Sequence, residues 1–519
     1  MNDKQTGSFY TPRLLVNYMV DYALNKAESP IKTVLEPSVG DGRFLDVLRK
    51  QPCEIDAIEI DLNKIKKLQG SKNDNLELIC SNFIDYAMNT KQKYNLIIGN
   101  PPYISKKTLS ESEREKSLTL IREFKLPDPI FQNLWVAFVL GALRVLEKEN
   151  GAIFFVLPFE FLQVHYAERL RNFLEERFNF IEIITFKESV FTGIDQDVCL
   201  VYLTNKKNNE PIVSYKTVNN INEFRLIEQN RIERNKPLKK WSNAMLHENE
   251  IDLMMRLSNK YKNINDFGKT SPGIVTGANN FFILNNEEKK GLAANVNTVP
   301  IIQKGSSIPN LLLFTKEDEN NLFNSERKSW MLNLSGINYD DFSVELKNYI
   351  EKGVGVGFHK RYKCSQRKRW FDVPIVSPGN VIFFKRYDRT PKLVVNKSGI
   401  YTTDITYNIK LLEQYDGDSF AFCFYNSLTL ALCEYNGRFY GGGVGELVPS
   451  EFKSLAIPYK RIKNSNINKL DSMIRDNVPL QEIVNFVDSI VLADLHKEYL
   501  VTLQNIREKY LNRRLKTNI

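Results

Sequence analysis

Between Thr33 and Asn100 the chain repeats one pattern: a short apolar run, a polar or glycine-rich turn, then a segment of helical spacing. Few folds accept it. Continuous apolar runs require burial on both faces, and helical segments between them act as crossovers, so the pattern predicts a parallel, doubly wound α/β sheet. In such sheets a ligand sits outside the carboxyl ends of the strands, so the chemistry is expected in the turns.

The first run, Thr33-Val34-Leu35-Glu36, leads into Pro37-Ser38-Val39-Gly40-Asp41-Gly42 and a helix with Phe44, Leu45 and Leu48 on its apolar side. The glycines let a ligand approach the backbone closely. The turn is not the GxGxxG fingerprint, and Glu36 would repel a pyrophosphate; a carboxylate there suits a cationic ligand. The second run, Glu54 to Ile60, carries Glu59, 19 residues after Gly40, the spacing at which an acid typically grips ribose hydroxyls. The third, Leu76 to Cys80, leads into Ser81-Asn82-Phe83. The fourth, Leu96 to Ile98, closes on Gly99 and then Asn100-Pro101-Pro102-Tyr103.

Two prolines in succession fix φ and remove two backbone donors, leaving a stiff turn that exposes carbonyl acceptors. A carboxamide oxygen beside a bare carbonyl accepts both hydrogens of an aromatic amine, and the neighbouring Tyr103 ring stacks on it. Alone, the motif reads equally as a proline turn with Asn100 bonded to its own backbone. Four polar strand ends together point to a site.

Upstream, Leu15, Tyr18, Met19 and Tyr22 mark an amphipathic helix, with Thr11-Pro12 as N-cap and first-turn proline. That helix start could receive a carboxylate. Downstream the alternation continues, with helices over Leu134 to Leu146 and His165 to Phe178 and strands over Gly151 to Leu157, Ile181 to Phe186 and Val198 to Leu203. The loop Val190 to Asp195 carries Phe191, and a lone loop phenylalanine is usually a packing residue.

At 519 residues the chain is long enough for two or three domains. Its longest uncharged apolar run, Trp135 to Leu143, is too short to span a bilayer, and its N-terminus lacks a signal-peptide pattern. Six cysteines without a CxxC and four scattered histidines argue for reduced thiols in a cytoplasm and against a metal site. The net charge of +9 is uneven: residues 1–240 hold 34 Lys+Arg against 32 Asp+Glu, and the remaining 279 hold 37 against 30. A modest basic excess in the second half fits a polyanion partner.

Three stretches stand out there. Pro272 to Phe282 is punctuated by glycines and ends in an aromatic pair. Phe358 to Phe371 packs six Lys/Arg (Lys360, Arg361, Lys363, Arg367, Lys368, Arg369) and four aromatics into 14 positions. Lys385-Arg386-Tyr387-Asp388-Arg389 is a smaller version. Interleaved basic and aromatic residues suit phosphate contacts with base or sugar stacking, so these nine cations are the expected DNA contacts. Tyr440 to Gly445 is a flexible turn and not a phosphate loop, since no Lys-Ser/Thr follows. Residues 464–515 read as two or three helices.

In this order, the Thr-Pro helix, the LEPSVGDGRF loop, the acidic strand end, NPPY and an aromatic loop resemble the gamma-class (TaqI-like) DNA adenine-N6 methyltransferases of restriction–modification systems. The close match covers roughly residues 5–205. The resemblance implies S-adenosylmethionine as methyl donor, with Thr11 at its carboxylate, Glu36, Ser38 and Gly40 at the methionine part and Glu59 at the ribose. An acidic residue in the family meets the cofactor adenine beside a stacking aromatic; Asn82-Phe83 stands there in this chain. It implies that Asn100, Pro101, Pro102 and Tyr103 engage a flipped-out adenine in double-stranded DNA, with Phe191 on its other face. It further implies a prokaryotic cytoplasm and a cognate restriction endonuclease acting separately.

The expected layout is a catalytic domain over residues 1–205, a connector over 206–245, a mixed α+β target-recognition domain over 246–460 and a helical segment over 461–519. NPPY also occurs in protein-glutamine and some RNA methyltransferases, but those chains usually lack a roughly 270-residue domain after the catalytic one. A non-catalytic DNA-binding module would not need an intact NPPY. A fused endonuclease is not expected, because the catalytic pattern starts near residue 5 and the last 55 residues are short and helical.

Overall fold

The computed structural model describes residues 10–68, 75–191, 197–205, 211–233, 238–292, 296–440 and 442–516. Nine strands form one sheet in the order β3-β2-β1-β4-β5-β7-β6-β8-β9. They are β1 (Thr33–Glu36), β2 (Glu54–Glu59), β3 (Leu76–Cys80), β4 (Leu96–Gly99), β5 (Ala152–Pro158), β6 (Phe180–Phe186), β7 (Val198–Thr204), β8 (Ile212–Val218) and β9 (Leu226–Glu233). The first five pair in parallel, as expected of buried apolar runs joined by helices. Helix α1 (Arg13–Lys26) buries Leu15, Val16, Met19, Val20 and Ala23 in a core shared with β1, β4, β5 and β7.

The sheet departs from the expected parallel pattern at β7, which lies antiparallel between β5 and β6. Only 11 residues separate β6 from β7, too few for a crossover helix, so the chain turns back beside the strand it has just left.

A second correction concerns residues 206–245. They contain β8 and β9, which extend the same sheet, so the first compact unit runs to Asn249 and is joined by residues 440–442 and 516–518. A sheet edge carries polar side chains on its wet side, which is why its composition resembles a connector. One of its charges is internal: the Lys216 ammonium lies 2.8 Å from the buried carboxylate of Glu182 on β6.

The second unit, Glu250–Phe439 with Gly443–Leu515, is mixed α+β. Its central five-stranded sheet runs Gly268–Pro272, Thr406–Leu411, Val381–Phe384, Leu393–Asn396 and Leu313–Phe314 in spatial order. The three C-terminal helices, Asn464–Arg475, Leu480–Val491 and Lys497–Leu515, belong to this unit and do not stand apart as a segment. Asp471 accepts from the amides of Leu312 and Leu313, and Arg475 donates to the Asp318 carboxylate and the Leu313 carbonyl. Arg514 makes a bidentate pair with Glu434, both nearly fully buried. Among the described residues no helix is long and apolar enough to cross a membrane.

Candidate active site

The carboxyl ends of β1, β2 and β4 are tied together by hydrogen bonds between their turns. Gly99 lies close to Pro37 and Glu36: a Cβ there would stand 3.4 Å from the Pro37 ring and 3.8 Å from the Glu36 side chain. Ser38 donates its hydroxyl to the Asn100 carbonyl at 3.0 Å. The Asn100 side-chain nitrogen donates to the Thr11 hydroxyl at 3.2 Å. Thr11 is therefore not the helix cap; Pro12 occupies the cap position, and the buried hydroxyl orients the Asn100 amide. Arg43, paired with Asp41, donates to the Thr11 carbonyl at 3.0 Å and fixes that residue from the other side.

The glycine turn is held open by Glu59. One carboxylate oxygen accepts from the Gly40 amide at 2.9 Å, and the other from the Asp61 amide at 3.0 Å. Gly40 and Gly42 have φ of +62° and +84°, a backbone region that glycine adopts without strain. The Tyr10 ring lies 3.8 Å from where a Gly40 Cβ would stand, with the Arg43 guanidinium over it. Arg43 belongs to the LEPSVGDGRF loop itself, whereas Tyr10 carries no motif signal and only the fold brings it here.

Glu36 is the electrostatic anomaly. Its side chain has 0% exposure, and among the described residues neither carboxylate oxygen has a hydrogen-bond partner. Burial raises its pKa well above the ordinary carboxylate value, and the charges of Asp41 and Glu59 push it further. Arg49 opposes them only in part, so the charged form is costly there and a cation entering the turn would offset that cost. The donor set at these strand ends thus fits a ligand with a cationic centre and hydroxyl groups.

The turn after Gly99 is pinned on both sides. The Leu134 amide donates to the Ile104 carbonyl at 2.8 Å, and the Lys106 amide to the Gln132 carbonyl at 3.0 Å. The Tyr103 hydroxyl donates to the Val156 carbonyl of β5 at 3.0 Å, and its burial raises the phenol pKa well above normal. The tyrosine ring remains partly exposed beside Pro102.

Other expected site residues are placed differently. Asn82 caps the helix Phe83–Asn89, its side-chain oxygen accepting from the Ile84 amide at 2.8 Å. That acceptor is therefore already engaged by the chain. Phe83 packs inward: its ring lies 4.9 Å from Phe138, and a Cβ on Gly141 would stand 2.8 Å from it. Phe191 is 6% exposed and part of the apolar core with Val190, Phe186 and Ile184, the packing alternative for a loop phenylalanine. Thr192, Gly193, Ile194 and Asp195 of its loop lie outside the described residues.

The nine cations expected to touch DNA divide. Arg367 donates to the Val275 and Thr276 carbonyls at 2.8 Å each. Arg369 forks onto Asp372 and the Ile337 carbonyl. These two guanidinium groups hold the glycine-punctuated Pro272 to Phe282 stretch and its surroundings in place, because planar donors satisfy several carbonyls at once. Lys385 donates to the Asp404 carbonyl, and burial lowers its pKa. Lys360, Arg361, Lys363, Lys368, Arg386 and Arg389 are exposed, with Arg386 3.3 Å from Glu446.

Residues 34–191 match the Eco57I restriction-modification methylase family, and residues 238–492 match the C-terminal domain of Type II methyltransferase M.Eco57I. Type II methyltransferase M.AccI of Acinetobacter calcoaceticus is 24% identical over 95% of this chain and 94% of its own length. Type II methyltransferase M.HincII of Haemophilus influenzae is 32% identical over 40% of this chain and 38% of its own. A nuclease-deletion mutant of the Type ISP restriction-modification enzyme LlaGI, solved with a DNA substrate mimic, shares the fold with a TM-score of 0.52. That superposition covers 90% of this chain and 54% of LlaGI at 13% identity. Since both parts of one enzyme type occur in order, and M.AccI matches almost end to end, the chain belongs to the Eco57I-type methyltransferases of type II restriction–modification systems.

Proposed function

We propose that this protein is a gamma-class enzyme that transfers a methyl group from S-adenosylmethionine to the exocyclic nitrogen of an adenine flipped out of duplex DNA. The observation that carries the reading is Asn100, oriented by Thr11 and Ser38 beside the unpartnered carboxylate of Glu36. S-adenosylmethionine supplies an activated methyl on a sulfonium. Glu36 faces its cationic methionine portion, together with Ser38 and the Gly40 turn. Glu59 keeps lone pairs for ribose hydroxyls, while Thr11 lies toward the carboxylate.

The amine of adenine is a poor nucleophile because its lone pair is delocalised into the ring. With its nitrogen committed to Thr11, the Asn100 amide meets that amine with oxygen, and the Pro101 carbonyl takes the second hydrogen. Accepting both hydrogens favours a pyramidal nitrogen with an available lone pair, which is preorganised electrostatic stabilisation. In-line positioning contributes much of the rest, and no strong base is required. The target atom is hidden in a duplex, so the base must leave the stack. Tyr103 holds one face. Phe191 reaches the other only by leaving the core, at about 1.5–3 kcal/mol, comparable with the roughly 1–3 kcal/mol gained by stacking. The mark would protect host DNA from a restriction endonuclease acting separately.

Incubation with labelled S-adenosylmethionine and duplex DNA, followed by digestion to nucleosides, tests the reading. N6-methyladenine is the expected product. Modified cytosine, or transfer to protein glutamine or RNA alone, would overturn it.

A further inference from the structure

The helix Val344–Val356 starts on a Ser343 cap and is fixed near its end by rings. Tyr349 stacks on Phe281 with centroids 4.6 Å apart and donates to the Phe281 carbonyl at 2.7 Å. Gly353 is needed there: a Cβ would come within 2.5 Å of Phe281 and 2.8 Å of Trp370. Gly355, in the same last turn, is different. Among the described residues nothing lies within 4 Å of where its Cβ would stand, and its helical φ requires no glycine. Glycine inside a helix is less favourable than alanine, and among the described residues no contact explains it.

Beyond the exposed Glu351 and Lys352 one turn back, the surface next to Gly355 carries apolar side chains where solvent-facing helix ends are normally polar. Val354 is 42% exposed, and Val356 and Tyr362 are each 72% exposed. Gly357 ends the helix at φ +89°, also in open space, and turns the chain into the exposed Lys360, Arg361 and Lys363. Beneath this corner Cys364 is fully buried and Arg367 ties to Val275 and Thr276, so the corner is held on both sides. Single exposed apolar residues mean little. Three within nine positions, on an anchored corner beside three cations, form an apolar crest with a cationic rim.

We propose that Val354 to Lys363 is a crest that enters a groove of duplex DNA, with Val356 and Tyr362 against sugars and base edges. Lys360, Arg361 and Lys363 meet the flanking phosphates, and Gly355 lets the nucleic acid approach the helix backbone. This rests on the reading of the protein as a DNA methyltransferase and names side chains that reach past the phosphates. The cations supply salt-dependent attraction, while the crest supplies contact that salt does not screen.

The experiment is anisotropy of the full chain on a labelled 30-base-pair duplex across a potassium chloride series. Each of Lys360→Ala, Arg361→Ala and Lys363→Ala flattens the slope of log K against log salt by about 0.9. Tyr362→Ala weakens binding roughly five- to a hundredfold with the slope unchanged. Gly355→Ala separates function from folding: it raises the melting temperature, since the added methyl meets nothing and favours the helix, yet weakens DNA binding. Wild-type affinity in both Tyr362→Ala and Gly355→Ala overturns the crest, as does a slope change in Tyr362→Ala. If the unaltered chain shows no affinity for the duplex, the DNA methyltransferase reading itself fails; if it binds and methylates while crest variants are silent, only the crest fails.

Discussion

The side-chain nitrogen of Asn100 donates to the hydroxyl of Thr11, 89 positions earlier, at 3.2 Å. One hydrogen bond thereby joins the start of the first helix to the proline turn and decides which end of the amide is presented. Thr11→Val keeps the shape and removes that acceptor. We expect it to lower turnover about tenfold or more, beyond any loss of cofactor affinity from the missing hydroxyl, with methyl incorporation at saturating S-adenosylmethionine and calorimetric titration separating the two.

Asn100→Ala removes the acceptor itself. Loss of one preorganised group at a developing charge costs on the order of 10²–10³ in rate, and here the nucleophile depends on it, so turnover should fall to background. Cofactor binding should survive. Residual turnover alongside lost cofactor binding would contradict the role assigned to Asn100.

Tyr103 separates two contributions. Tyr103→Phe keeps the ring and forfeits the hydroxyl with its bond to the Val156 carbonyl, so activity should stay within a few-fold and stability fall by about 1 kcal/mol. Tyr103→Ala should abolish the fluorescence rise of 2-aminopurine placed at the target position, which reports extrusion of the base. An unchanged rise in the alanine variant would remove Tyr103 from base holding.

Glu36 makes ligand-free stability depend on pH. Above the ordinary carboxylate value the unfolded chain holds this group ionised, while burial keeps the folded chain protonated to higher pH. Between those values the unfolded state binds fewer protons, so stability declines as pH rises through the window. Glu36→Gln should therefore melt above the unaltered protein at neutral pH, on the scale of about 1–3 kcal/mol, with a gap that widens as pH increases. The same variant should bind S-adenosylmethionine weakly. Thermal melts across the pH range, with and without cofactor, check both signs.

The buried pair of Arg514 with Glu434 supports the second unit. Arg514→Met strands a carboxylate in the core and should cost about 3–5 kcal/mol in denaturant unfolding. Adding Glu434→Gln should recover a large part of that loss, since no charge is then left unmatched.

Much of this architecture could be read before any coordinates, for physical reasons. The strand ends Glu36, Glu59 and Asn100 were legible because parallel sheets gather chemistry at one edge, so apolar runs with polar stops locate it. Lateral placement was not legible. Phe83 and Phe191 sit next to functional motifs, yet both rings face inward, and a phenylalanine looks the same in sequence whether it stacks on a base or on Phe138. Arg367 and Arg369 counted as part of a basic run until their carbonyl partners appeared, 91 and 32 residues away. Tyr10 reaches the glycine turn only through the path of the folded chain.

Strand β6, Phe180–Phe186, is buried along its whole length between β7 and β8. The match to the methylase family model ends at residue 191, but the hydrogen-bonding of this strand is completed by residues 198–204 and 212–218. A fragment cut at that point would lose β7, which joins β5 to β6, and would leave both strands with open edges ready to pair with a neighbour. The stretch that carries the motifs and the stretch that must be made together to close the sheet are two different lengths of the same polypeptide.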